Sequence, residues 1–300
     1  MPNAEQRSNL TLTELRHPYP SGLHNEPIRA KCPTPYNEAP VMSSNTPNPS
    51  QSAEDWIRHH AEVSPGKAAL HDLASGRQYT YQALDRRIDR AARFFRDILG
   101  VQPGERIGVL SHNDSDVFEI QFACRRIGAI FLPLNWRLAV PELEFICNDA
   151  GARILVYGIE FEAQATAIQS RCGTTHIVAA ANGSASEYET GLSEAGAEPL
   201  TDLPPITLAD IWTIMYTSGT TGRPKGAQIT YGMTVFNAVH ASVRAELTRR
   251  STNLVFLPTF HTGGLNVFAN PIFHTGGTNV VLRTFDPKTF LSLLSDKDLG

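Results

Sequence analysis

The sequence has few cysteines, and none of them has the spacing of a zinc-binding or redox motif. Its four, at Cys32, Cys124, Cys147 and Cys172, are scattered through 300 residues without a C-x-x-C pair. Zinc sites and dithiol redox centres need closely spaced thiolates. We therefore expect no metal site, and we expect reduced cysteines, several of them buried.

Long apolar runs and a surplus of positive charge are also missing. No hydrophobic stretch approaches the roughly 20 residues that cross a bilayer, and the beginning of the chain has no apolar signal-peptide core. The chain has 26 Lys and Arg against 30 Asp and Glu, a net charge of -4, without the basic stripe typical of nucleic-acid binding. The sequence therefore favours a cytoplasmic protein that does not bind nucleic acid, and it leaves the oligomeric state open.

Residues 1–50 differ in composition from the rest of the chain. They hold nine of the twenty prolines, and Asn and Ser fill much of the remainder. Such a segment cannot present a periodic apolar face, so it predicts a disordered tail. Residues 51–300 have the apolar patterning of a folded domain.

Beyond that tail, segments typical of strands and helices alternate. Thr80 is the predicted N-cap of a helix over 81–99, where apolar residues recur three or four positions apart. Strands are then predicted at 106–110, 129–132, 153–156 and 175–179, and helices at 114–126 and 140–148. This alternation predicts an α/β fold with a mostly parallel sheet. Residues 182–205, rich in Gly, Ser, Glu and Pro, are predicted to form a surface connection.

The residues that carry chemistry follow a predicted strand at 211–216. They form the decapeptide Thr217-Ser218-Gly219-Thr220-Thr221-Gly222-Arg223-Pro224-Lys225-Gly226. A polyphosphate is bound by closely approaching backbone N–H groups, hydroxyl donors and positive charge. The glycines allow the close approach, the hydroxyl residues donate, and Lys225 supplies charge. This pattern predicts a phosphate-binding loop. It differs from the P-loop of the NTPases, in which the lysine directly follows a glycine and precedes Ser or Thr.

The decapeptide resembles the signature of the adenylate-forming (AMP-binding) superfamily, in particular of acyl- and aryl-CoA synthetases. Two further segments agree in order and spacing. Residues 126–135 resemble the family's helix-to-strand segment that ends in Pro-Leu-Asn, and residues 257–264 resemble its later aromatic-His motif. The resemblance covers roughly residues 52–300 and corresponds to the N-terminal part of such an enzyme.

The resemblance implies a fold and an activity. The fold would be the layered αβαβα N-terminal domain of acyl-CoA synthetases, with mostly parallel sheets. Enzymes of this family join a carboxylic acid to ATP as an acyl-adenylate with loss of pyrophosphate, and coenzyme A then displaces AMP. We therefore expect a fatty- or aryl-acid–CoA ligase. Its co-substrates would be coenzyme A and ATP, with Mg²⁺ carried on the ATP phosphates.

The same resemblance assigns candidate site residues. Lys225 would make the charged, catalytic contact with the nucleotide. The other predicted nucleotide-binding residues are Thr217, Ser218, Gly219, Thr220, Thr221 and Gly222. His261 would line the acid pocket and take part in catalysis. Because histidine cannot supply the negative charge that an α-ammonium group needs, an amino-acid substrate is disfavoured. Gly263 and Gly264 either leave room for the acid or serve tight helix packing.

The family's later motifs are not recognisable before Gly300. They would supply a Thr-Glu pair near the metal, a ribose-binding Asp, a hinge and a small C-terminal lid with a catalytic Lys. We therefore expect residues 51–300 to form a partial domain, incomplete at its C-terminal end, in a truncated form of a ligase. Two alternatives stay open: a non-catalytic nucleotide-binding remnant of such an enzyme, and a peptide-synthetase adenylation domain, which His261 disfavours.

Overall fold

Residues 52–174, 176–181, 186–217 and 223–295 are described by the structure, which is a computed structural model. Every described residue falls within one unit, Thr46–Gly300. The predicted tail at residues 1–50 lies outside the described residues, as do residues 218–222 of the phosphate loop.

Two β-sheets form the framework. The larger sheet has the strand order β6-β5-β3-β4-β7-β8, and the smaller has the order β2-β1-β10-β9. The strands are β1 Ala68–Asp72, β2 Gln78–Thr80, β3 Arg106–Leu110, β4 Ile130–Pro133, β5 Ala152–Gly158, β6 His176–Ala180, β7 Ile211–Thr217, β8 Lys225–Thr230, β9 Thr252–Val255 and β10 Thr278–Val281. Neighbouring strands are parallel except in the pairs β1/β2 and β7/β8. The predicted α/β fold with mostly parallel sheets is confirmed.

Helices connect these strands. The α-helices are α1 Trp56–Val63, α2 Tyr81–Arg93, α3 Ser115–Ile127, α4 Val140–Ala150, α5 Glu162–Arg171, α6 Glu187–Glu194, α7 Tyr231–Arg244, α8 Thr262–Leu265, α9 Ala269–Thr275 and α10 Pro287–Ser295. The predicted cap of α2 is confirmed, because the Thr80 hydroxyl accepts a hydrogen bond from the Ala83 N–H at 3.2 Å. The helix continues as a π-helical turn over Phe94–Ile98.

Helix α3 joins the two sheets. All of its residues are buried, and it packs against β4 of the larger sheet and β1 of the smaller. Phe122 of α3 lies edge-on to Trp212 of β7 and to Phe273 of α9. Full burial of one such side chain contributes about 1.5–3 kcal/mol, so the aromatic contacts fix the position of α3 between the sheets.

A buried arginine ties the first three helices together. The guanidinium of Arg126 in α3 binds Asp55 at 2.9 Å and Asp89 at 2.7 Å, and it also contacts Asp85. Burial alone would raise the pKa of Asp55, but Arg126 and Arg125 overcome that effect and hold the pKa well below its usual range. Because an unpaired buried charge is strongly unfavourable, these contacts hold α1 and α2 against α3.

The predicted surface connection at residues 182–205 is wrong in part, because it contains α6. Tyr188 of this helix is buried and contacts the rings of Phe94 and Phe95. Leu192, one turn later, is also buried. The hydrophilic composition of the segment concealed this short apolar face, whose two members lie four positions apart.

Two expectations from composition bear on the described residues. Cys124 and Cys147 are buried free thiols and Cys172 is partly buried, which agrees with the expectation of several buried cysteines. In the part of the chain that the structure describes, no helix is both long enough and apolar enough to cross a membrane.

Candidate functional site

A β-hairpin holds the two ends of the phosphate loop next to each other. Strands β7 and β8 are antiparallel, with Thr217 opposite Lys225, and both residues are exposed at the end of the hairpin that bears the loop. Gly226 leaves room for two side chains of β7, because a Cβ there would lie 2.9 Å from Ile214 Cγ2 and 3.0 Å from the ring of Tyr216. Residues 218–222 of the intervening loop lie outside the described residues. The predicted roles of these residues therefore stay predictions: Ser218, Gly219, Thr220, Thr221 and Gly222.

The Thr217–Lys225 end of the hairpin lies at the carboxyl edge of the larger sheet. Strands β3, β4, β5 and β7 are parallel, so the loops that follow them leave the sheet on the same side. Phe131 of β4 lies opposite Thr213 of β7, and the loop after β4 therefore leaves the sheet beside the end of β7. In parallel α/β sheets, ligands bind outside this edge.

A buried asparagine joins this edge to the segment that carries His261. Asn113 follows β3 and is 4% exposed. Its Nδ2 donates to the carbonyls of Leu257 at 3.0 Å and Leu282 at 3.2 Å. Its Oδ1 accepts from the backbone N–H of Thr259 at 2.9 Å and from the hydroxyl of Thr259 at 3.1 Å. The end of β3 is thereby connected to the segments that follow β9 and β10.

An aromatic pair connects the same segment to the loop after β4. Trp136 lies edge-on to Phe260, with ring centroids 6.2 Å apart. The guanidinium of Arg137 lies 4.8 Å from the centroid of Trp136 and 5.6 Å from that of Phe260. A guanidinium at these distances is attracted by both rings. The three side chains form one surface, which we call the aromatic platform.

His112 contacts the aromatic platform. Its ring centroid lies 4.4 Å from that of Trp136, and its Nε2 lies 3.8 Å from Glu160 Oε1. Burial lowers the pKa of His112, and the nearby Arg283 lowers it further. Because the ordinary histidine pKa is about 6.5, the ring is largely neutral at pH 7. It therefore adds apolar surface to the platform more than it adds charge.

His261 caps the short helix α8. Its Nδ1 accepts a hydrogen bond from the Gly263 N–H at 3.1 Å. In a neutral imidazole with Nδ1 as acceptor, the proton is on Nε2, so the exposed ring offers a donor to solvent or to a ligand. The capping contact orients the ring.

The two glycines after His261 differ in their surroundings. A Cβ on Gly264 would collide with the carbonyl of Pro258 and lie 2.6 Å from that of Leu257. A Cβ on Gly263 would lie 3.2 Å from Leu257 Cδ1, a contact that a small side-chain movement relieves. Tight packing therefore accounts for Gly264, whereas the predicted role of leaving room for the acid stays a prediction for Gly263.

The described site residues fall into two groups: Thr217 and Lys225 on the hairpin, and His261, Gly263 and Gly264 at α8. Sequence reasoning missed the role of the residues that connect the sheet edge with the second group. Asn113, Trp136 and Arg137 come shortly after the predicted strands at 106–110 and 129–132. Polar and aromatic residues at the carboxyl ends of parallel strands were the available signal.

Comparison with known proteins identifies the family. Residues 57–297 match the family described as AMP-binding enzyme. The chain belongs to this family. Among the relatives of this AMP-binding chain is the feruloyl-CoA synthase of an Amycolatopsis species, 35% identical over 247 residues, which are 82% of this chain and 47% of the relative. Another is the indoleacetate–CoA ligase of Aromatoleum aromaticum, 35% identical over 214 residues, which are 71% of this chain and 41% of the relative.

A solved structure gives the same assignment. The ATP-bound MatB from Rhodopseudomonas palustris superposes with a TM-score of 0.70 at 25% sequence identity, covering 80% of this chain and 48% of that one. These findings confirm the predicted superfamily. The AMP-binding chain spans about half the length of the curated relatives it matches.

Proposed function

We propose that this AMP-binding protein activates a carboxylic acid with ATP and transfers the acyl group to coenzyme A. The proposal is carried by one observation. The Thr217–Lys225 end of the phosphate-loop hairpin lies at the carboxyl edge of the larger sheet, and Asn113 and Trp136 connect the His261 segment to the same edge. Membership of the AMP-binding family supports it. The names of the two relatives, a CoA synthase and a CoA ligase, support it as well.

The proposed reaction has two steps. A carboxylate oxygen attacks the α-phosphorus of ATP, which forms the acyl-adenylate and releases pyrophosphate. The sulfur of coenzyme A then attacks the acyl carbonyl carbon, loses its proton, and displaces AMP. Because the first step brings two anions together, neutralising charge is its main requirement. Mg²⁺ carried on the ATP phosphates would supply part of the positive charge.

The nucleotide site of this proposal is the hairpin. Lys225 would contact the polyphosphate with its ammonium group, and the exposed position of that residue opposite Thr217 supports the role. Hydroxyl and backbone donors of the loop would bind the remaining phosphate oxygens. The proposed nucleotide-binding residues are Thr217, Ser218, Gly219, Thr220, Thr221, Gly222 and Lys225.

The proposed acid is aromatic. Trp136 and Phe260 present rings beside the His261 segment, and His112 adds a ring that is largely neutral at pH 7. Aromatic rings of a ligand pack well edge-on or offset against such a group. The names of the two relatives, with feruloyl and indoleacetate groups, support an aromatic acid. His261 would bind near the acid and would act in catalysis as a hydrogen-bond donor.

A second candidate function is nucleotide binding without catalysis. In that case the hairpin would bind ATP, and no acid would be activated. A peptide-synthetase adenylation domain is disfavoured by His261, which offers no negative charge to an α-ammonium group.

Acid-dependent exchange of labelled pyrophosphate into ATP tests the proposal. The 300-residue chain and the longest natural form of the protein are assayed in parallel with ferulate, indoleacetate, hexadecanoate and phenylalanine. In a form of the protein that is active, we expect ferulate and indoleacetate to stimulate pyrophosphate exchange more than hexadecanoate or phenylalanine does. Stimulation by hexadecanoate alone would contradict the aromatic substrate. ATP binding without stimulation by any acid in either form would favour the non-catalytic function.

A further inference from the structure

The side chain of Asn113 satisfies four polar groups that belong to two other segments of the chain. They are the carbonyls of Leu257 and Leu282 and the N–H and hydroxyl of Thr259. Thr259 and Leu282 are each 3% exposed, so their groups have little access to water, whereas Leu257 is 40% exposed. Buried backbone groups need partners within the protein, and one side chain supplies all four contacts.

The pattern of these contacts admits one side-chain orientation. Both acceptors face the Nδ2 group of Asn113, and both donors face its Oδ1. A rotated amide would place its oxygen against two carbonyl oxygens and its N–H₂ against the backbone N–H of Thr259. Asn113 therefore holds the segment that follows β9 in one position, because a displacement of Leu257 or Thr259 lengthens at least one of these hydrogen bonds.

The segment fixed by Asn113 leads directly into the His261 motif. The Pro258 carbonyl, between the two contacts, accepts from the His261 N–H at 3.1 Å. The same carbonyl packs against Gly264 so closely that a Cβ there would collide with it. Phe260, next in sequence to Thr259, contacts Trp136 of the aromatic platform. The position of His261 and Phe260 relative to the carboxyl edge thus depends on the Asn113 side chain.

We propose that Asn113 is a positioning residue of the acid site: its amide fixes the Leu257–Thr259 segment and thereby the placement of Phe260 and His261. The proposal rests on the proposed function for its effect on the acid. Asn113 itself does not touch the reacting atoms. It acts at the junction of the two sheets, through the backbone that carries the acid-site residues.

The test compares two isosteric substitutions at buried asparagines. Asn113→Asp keeps the acceptor for Thr259 but places a second oxygen against the carbonyls of Leu257 and Leu282. Asn279→Asp is the matched control. Asn279 is fully buried, donates to the Ala269 carbonyl at 3.0 Å and accepts from Asn253 at 2.8 Å. Within the described residues, both partners of its side chain therefore lie outside the segment 257–261.

Hydrogen–deuterium exchange on the 300-residue chain is the first readout. We expect Asn113→Asp to speed exchange over residues 257–264 by about tenfold, the effect of losing roughly one hydrogen bond's worth of stability. Asn279→Asp should leave that segment unchanged. Unchanged exchange in Asn113→Asp, or an equal effect of the two substitutions, would overturn the positioning role whether or not the protein activates an acid.

The kinetic readout is the pyrophosphate-exchange assay with ferulate, in the form of the protein that is active. For Asn113→Asp we expect the KM for ferulate to rise about tenfold and the KM for ATP to stay within about twofold. Partial recovery at lower pH is expected too, because a protonated carboxyl group regains one donor. Equal rises of both KM values would overturn the assignment to the acid site. If no acid stimulates pyrophosphate exchange by the unsubstituted protein, the proposed function is overturned. Hydrogen–deuterium exchange alone would then decide the positioning role of Asn113.

Discussion

Lys225 lies at the loop-bearing end of the β7–β8 hairpin, opposite Thr217, in an exposed position. A hydrogen bond to a charged group contributes about 1.5–3 kcal/mol, and each 1.4 kcal/mol is a factor of ten in affinity. Lys225→Ala is therefore expected to weaken the binding of MgATP to the 300-residue chain about 10- to 100-fold. Isothermal titration calorimetry measures this change directly.

Arg223→Ala is the matched control for that substitution. Arg223 is also exposed and lies two positions before Lys225, so its removal takes away the same charge from the same hairpin. We expect its effect on the affinity for MgATP to stay within about threefold, as for a screened surface charge. Equal losses in the two variants would indicate general electrostatic attraction and remove Lys225 from its proposed role.

Single residues differ in how far the sequence predicts their roles. Thr80 is identified as a cap by its type and by the apolar pattern that follows it, and the structure confirms the cap. The environment of Gly264 depends on the carbonyl of Pro258, and that contact is not visible in composition or spacing. Asn113 binds residues 144 and 169 positions away, so no local pattern could reveal its partners.

At the scale of elements, the prediction succeeds where the signal is local. The strand predicted at 106–110 is β3 with the same bounds, and the helix predicted at 114–126 is α3 shifted by one residue. The smaller sheet went unpredicted, because its central pairing joins Leu70 of β1 to Asn279 of β10. Pairing over such a separation leaves no periodicity in either segment, and β1 and β10 are short.

The N-terminus of α3 gives a prediction for this element. Asp114 caps the helix, accepting from the Val117 N–H at 3.0 Å and from the Ser111 hydroxyl at 2.7 Å. Burial raises the pKa of Asp114 to about 6, above the value of about 3.9 expected in the unfolded chain. The folded state therefore favours the protonated carboxyl group, and this contribution to stability is lost as the pH rises through 6.

Asp114→Asn removes this titration and keeps an acceptor for the Val117 N–H. The free energy of unfolding of the variant, relative to the unsubstituted chain, is expected to increase from pH 5 to pH 7, as measured by urea denaturation. Asp286→Asn is the control. Asp286 accepts from the Thr289 N–H at 2.7 Å at the exposed start of α10, and the hydrogen bonds from Thr289 lower its pKa. It is ionised at both pH values, so its effect should be constant. A constant difference for Asp114→Asn as well would contradict the account.

At the scale of the whole molecule, the candidate site is shared between two sheets. The hairpin belongs to the larger sheet, and the His261 segment follows β9 of the smaller one. Asn113, Trp136 and Arg137 make the contacts that carry this segment to the carboxyl edge of the larger sheet. The sequence predicts both motifs and their family, and the arrangement of the sheets explains how segments separated along the chain would contribute to the one site that we propose.

The central claim is that the hairpin and the His261 segment form one composite site. Hydrogen–deuterium exchange of the 300-residue chain, with and without an aroyl-sulfamoyl adenosine, tests it most directly, because this analogue carries an aromatic acid and adenosine in one molecule. The account predicts slower exchange on binding in both residues 211–230 and residues 257–265. Slower exchange in only one of these segments, or in neither at saturating analogue, would contradict it.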